Sequence, residues 1–190
     1  MLYLRKLRNF AFDMTLKEAL IQLKAFARID GVWLAALWAV SFAFVLLAPA
    51  SSLGTMLTMC TPFLAGARLV SFRNRVLDGK LSFRRGLAYT WYMFFYASIL
   101  FAAIQFVYFQ FLDHGHFTSL IYQSGDVLTA VYKAEGLDTR EIKDAIAVLT
   151  ELRPIEFTLL FMSQNLLIGT MLSIPIALVC RRSVPFRHPR

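Results

Sequence analysis

The chain has 190 residues, 58% of them hydrophobic, 18 Phe among them, and a formal net charge of +8. A soluble domain holds roughly 45–50% apolar residues, and one of this size would leave the surplus facing water. The composition therefore excludes an ordinary soluble fold and predicts an all-α integral membrane protein. The basic residues flank long apolar runs rather than forming one stripe, which argues against nucleic acid as a partner.

Residues 1–30 are basic and amphipathic. Thr15 and Glu18 have capping-box spacing, and Leu16, Ala19, Leu20, Leu23 and Ala27 recur on one face. The pattern predicts an N-terminal amphipathic helix in the membrane interface. Its alternative is a plain extension of the first span. The first apolar run starts only near residue 31, so the first span is expected to double as the targeting signal, with no cleaved leader.

Residues 31–67 carry no charge over 37 positions. One span needs about 20 residues, so this run predicts two. The break is Ala48-Pro49-Ala50-Ser51-Ser52, giving spans near 31–48 and 52–72. Residues 68–85 hold six basic residues and one acid. Positive charge between two apolar runs marks a cytoplasmic loop. Within it Asp78-Gly79 is a turn signal and Ser82 a helix cap.

The third span is expected at 87–112, with Tyr89, Trp91 and Tyr92 as an interfacial belt near its basic end. Residues 113–154, with Glu156 at the edge, hold eight acids and four bases. They read as an extracytoplasmic helical hairpin. In its first helix Ser124-Gly125 interrupts the apolar stripe, and in its second Asp138 is the expected cap. The fourth span is 155–180, completing a membrane domain over 31–182. The basic, proline-broken tail 183–190 is expected to be disordered. Lys and Arg number six in 1–30, six in 68–85, four in 113–156 and four in 181–190. With both termini inside, sixteen lie in the cytoplasm and four outside, which sets the expected orientation.

Polar groups inside spans are the first candidates for function, because lipid makes them costly. Asp30 and Arg68 lie at similar depth on the first two spans and have the reach to pair. The favoured reading is that Arg68 snorkels to headgroups unaided. Gln105 and Asn165 both sit roughly 10–14 Å below the outer boundary. A hydrogen bond between them would contribute about 0.6–2 kcal/mol. Gln164 is the remaining costly amide. Asn165, Gly169, Ser173 and Ala177 recur every four residues, a seam that admits another helix closely. Pro62 and Pro175 are expected to bend their spans.

Asp113-His114-Gly115-His116 is the one metal-like cluster. Its glycine leaves the geometry loose and a fourth ligand is lacking, so no metal and no cofactor are expected. Cys60 and Cys180 read as small hydrophobes. No triad order, Walker motif or HExxH helix supports catalysis, and the chain is read as a non-enzyme.

The stretches 72–83 (Phe-Arg-Asn-Arg-Val-Leu-Asp-Gly-Lys-Leu-Ser-Phe), 108–115 (Tyr-Phe-Gln-Phe-Leu-Asp-His-Gly), Arg153-Pro154-Ile155 and 165–177 carry a family resemblance. Over roughly residues 30–182 the chain resembles small bacterial inner-membrane proteins catalogued as a domain of unknown function. The resemblance implies four spans and no assigned activity; the association of such proteins with membrane glycosyltransferases would fit an accessory role in envelope glycolipid assembly. The expected function is therefore a non-enzymatic inner-membrane scaffold. Its expected partners are anionic lipid headgroups at the basic loops, with a second copy along the span-four seam or a larger membrane protein. The alternative is a small transporter or lipid-handling protein with a groove lined by Gln105, Gln164, Asn165 and Tyr108. The turn and cap in the basic loop point to docking of a partner or anionic lipid at Arg73, Arg75, Asp78, Gly79 and Lys80.

Overall fold

The computed structural model describes residues 2–49 and 51–182, with side chains from residue 18 onward. The capping side chain expected at Thr15 and the tail 183–190 lie outside the described residues. Seven α-helices follow in order: α1 Leu2–Leu47, α2 Leu53–Met59, α3 Thr61–Val76, α4 Phe83–Val107, α5 His116–Ala134, α6 Arg140–Thr150 and α7 Pro154–Cys180. A π-helical turn, Tyr108–Leu112, continues α4. Among the described residues, four helical stretches are long and apolar enough to cross a membrane: Glu18–Leu47, Leu53–Val76, Phe83–Leu112 and Pro154–Cys180. The protein is an all-α protein with four membrane-span helices.

The chain forms two compact units, Met1–Phe101 with Gln164–Arg190, and Ala102–Ser163. In the first, α1 runs without a break from residue 2, so no separate interfacial helix precedes the span. The physical reason is local: no proline interrupts it, and Gly31 is held by packing. A Cβ at Gly31 would lie 3.0 Å from both the Met93 carbonyl oxygen and Tyr96 Cβ, so the backbones of α1 and α4 nearly touch there. The buried face of α1 is Leu23, Ala27, Asp30, Leu34, Ala35, Trp38 and Ser41, spaced three and four apart. Its opposite face, with Ile29, Val32, Trp33 and Val40, is exposed and apolar, as lipid contact requires.

The second span is two helices, not one bent helix. It breaks at Cys60, whose amide turns back to Leu57 O (3.1 Å), and Pro62 sits in the first turn of α3 without an amide hydrogen to give. Hydroxyls stitch this span to α1. Ser41 donates to Gly54 O (2.7 Å) and lies 2.7 Å from Thr58 Oγ1, while Trp38 Nε1 donates to Thr61 Oγ1 (3.0 Å). Trp38 also stacks on Phe94 and meets Phe101 edge-on. The helix α7 continues through Pro175.

In the second unit, Phe109, Phe117, Phe157 and Phe161 form an aromatic cluster with ring centroids 5.1–6.2 Å apart. Helix α5 is not interrupted at Ser124-Gly125. Gly125 is buried because Ile146 of α6 sits where its Cβ would be. The missing side chain is the contact surface of the hairpin rather than a break. Asp138 Oδ1 accepts the Arg140 amide (2.9 Å) at the start of α6.

Candidate functional site: an intramembrane ion pair and a docked basic loop

Asp30 is 6% exposed in the middle of α1, and Tyr89 on α4 is completely buried. The carboxylate uses both oxygens. Oδ1 accepts Nε of Arg68 (2.6 Å) and its Nη2, and Oδ2 accepts the Tyr89 hydroxyl. Phe72 stacks on Tyr89 with centroids 4.4 Å apart and planes at 17°, closing the site from α3. A carboxylate in an apolar setting is tolerated only when paired and hydrogen-bonded. Here α3 supplies the charge and α4 the hydroxyl, so one acid ties three helices.

The pairing overturns the reading in which Arg68 snorkels unaided. It also revises Tyr89, expected in an interfacial belt. Trp91 and Tyr92 are the half-buried aromatics at that end, and Lys24 Nζ lies 5.0 Å from the centre of the Tyr92 ring. Sequence reasoning missed Tyr89 as a site residue. The available signal was spacing: Tyr89, Met93 and Ala97 lie on one buried face of α4, opposite Gly31.

The basic loop is the second assembly. Arg73 O accepts the amides of both Leu77 (3.2 Å) and Gly79 (3.0 Å), ending α3. Asp78 and Gly79 both adopt positive φ, 48° and 82°. The turn delivers Leu81, which is buried and makes a two-bond antiparallel bridge to Arg182 (2.8 and 3.0 Å). Arg73 Nη1 donates to Cys180 O (2.9 Å), capping the carbonyl end of α7. Ser82 Oγ accepts the Arg85 amide at the start of α4, as expected. The specific turn and cap thus have a docking partner inside the chain, the end of α7. Arg75 and Lys80 remain exposed.

The remaining candidates are spread out. Gln105 is 2% exposed and its Oε1 has no hydrogen-bond partner among the described residues. Gln164 is exposed and Asn165 half-buried. Of the small-residue seam, Gly169, Ser173 and Ala177 are buried within the chain. Phe94 packs on Gly169, and a Cβ on Gly86 would lie 3.4 Å from Ala177 Cβ. The seam admits α4. Asp113 is committed to a helix start: Oδ1 accepts the Phe117 amide (2.8 Å) and Oδ2 the Gly115 amide (3.2 Å).

The chain belongs to the family described as protein of unknown function DUF4199, which matches residues 14–182. No curated protein and no solved structure gives a significant match.

Proposed function

We propose that this member of the DUF4199 family is a non-enzymatic accessory or scaffold protein of the bacterial inner membrane, with both termini cytoplasmic. The observation that carries the reading is the use made of the costly polar groups. Asp30 is paired by Arg68 and bonded by the Tyr89 hydroxyl, which ties α1, α3 and α4 together at one level. The excess of Lys and Arg at the termini and in residues 68–85 supports the orientation. The proposal extends to an accessory place in envelope glycolipid assembly, which co-purification tests.

The test is purification of the tagged full chain in mild detergent, with identification of co-purifying proteins, beside a flux assay of the pure protein in liposomes. A stoichiometric membrane partner and no flux are expected. Movement of a solute or lipid by the pure protein would sink the scaffold reading. A lipid-handling role is the second reading, favoured by an open apolar groove of about 450 Å³ between α1 and α3.

A further inference from the structure

The groove between α1 and α3 is lined by Trp33, Ala36, Leu37, Val40, Leu64 and Arg68. Its volume lies within the range of about 300–1,000 Å³ usual for small-molecule sites. The pairs Asp30–Arg68 and Trp38–Thr61 set α3 antiparallel to α1. Trp33 and Arg68 therefore stand at the end that carries the basic residues, and Val40 and Leu64 lie deeper. Arg68 is five residues, about 7.5 Å along the helix, from Arg73 at the end of α3.

The guanidinium is the one charged group of the groove, and its side chain is 34% exposed. Nε and Nη2 are taken by Asp30, while Nη1 has no hydrogen-bond partner among the described residues. Asp30 is 6% exposed and held by Tyr89, so the guanidinium, not the carboxylate, is the accessible end of the pair at the groove. A fixed arginine fork with an unused donor, above an apolar slot between two span helices, matches a lipid headgroup above its acyl chain.

We propose that this groove binds one anionic glycerophospholipid, its phosphate on Arg68 Nη1 and an acyl chain along Ala36, Leu37, Val40 and Leu64. The site is distinct from the exposed bases of the loop, and it does not depend on the scaffold reading. The Asp30–Tyr89 contact serves it by holding the guanidinium in place before the lipid arrives.

The experiment is intact-complex mass spectrometry of the full chain, equilibrated in mild detergent with equal amounts of phosphatidylglycerol and phosphatidylcholine. One retained phosphatidylglycerol per chain is expected. Its preference should be on the order of fivefold, the factor one basic side chain at an anionic surface supplies. Ala36→Phe fills the slot without touching the ion pair and should lower retention about as much. Arg68→Gln should remove the headgroup preference. Arg75→Gln with Lys80→Gln should leave retention unchanged. Equal recovery of both lipids, or unaltered retention in Ala36→Phe, overturns the proposal. So does loss confined to the Arg75/Lys80 variant, which would place the lipid on the loop.

Discussion

The ion pair predicts an asymmetry between its two ends. In Arg68→Gln, Asp30 stays in an apolar site, 6% exposed, with only the Tyr89 hydroxyl left as a hydrogen-bond donor. Removing one partner of a buried pair costs about 3–5 kcal/mol. In Asp30→Asn the orphan is Arg68, already one-third exposed near the basic end of its helix. A long side chain can carry its charge to the interface, so the cost should be about 1.5–3 kcal/mol, an amount typical of a lost charged hydrogen bond. Combining the two changes removes both charges, and the double variant should recover 1 kcal/mol or more relative to the sum of the single ones. Thermal unfolding in one detergent reads all four proteins. At about 2–4 °C per kcal/mol for a chain of this size, Arg68→Gln should melt roughly 10 °C below the parent and Asp30→Asn about half as far. Equal shifts that add within about 0.5 kcal/mol would refute the coupling, and with it the idea that α1 and α3 are joined through this pair.

Other positions yield to the same reasoning. Gly31→Val places two methyls where Met93 O and Tyr96 Cβ stand 3.0 Å from the Cβ site; a loss of about 1–3 kcal/mol is expected from overpacking, read by the same melts. Gly79→Ala forces a side chain onto φ 82° at about 1–2 kcal/mol, and faster hydrogen exchange at the Leu81 and Arg182 amides should show the loop undocking. Gly125→Val should open the α5–α6 hairpin because Ile146 occupies that space, and adding Ile146→Ala should restore protease resistance to the segment. Trp38→Phe strands Thr61 without its donor and should cost about 1–3 kcal/mol.

The spans were legible because charge and apolar length decide them, and both are one-dimensional. Their ends were less so. The first span was expected to begin at residue 31 and the second to stop at 72, yet the helices run on through Glu18 and Arg73. A helix continues as long as its backbone bonds do, whatever the side-chain charge. Glycines were misjudged for a related reason. Gly125 reads as a breaker in sequence, but it is the point of contact with Ile146 in the fold. Asp30 and Arg68 were visible as equal-depth charges, while their pairing rested on rotation about two helix axes, which the pattern does not fix. Tyr89 was invisible because an aromatic near a span end is read as a belt residue unless the burial of its face is known.

In lipid the hydrophobic effect gives helices no reason to associate, so what joins them must be close packing or polar bonds. The first unit uses both, in separate places. Gly31 against Met93 and Gly169 against Phe94 let α4 approach α1 and α7. Ser41, Thr58, Thr61 and Trp38 bond α1 to the broken second span. Asp30, Arg68 and Tyr89 then tie three of these helices at one level, and Arg73 with Leu81 fastens the loop to the end of α7. Together these bonds hold the Arg68 guanidinium at a fixed height beside the groove. The clamp on which the scaffold proposal rests still leaves guanidinium hydrogens of Arg68 unbonded, on which the lipid proposal rests, and neither proposal depends on the other.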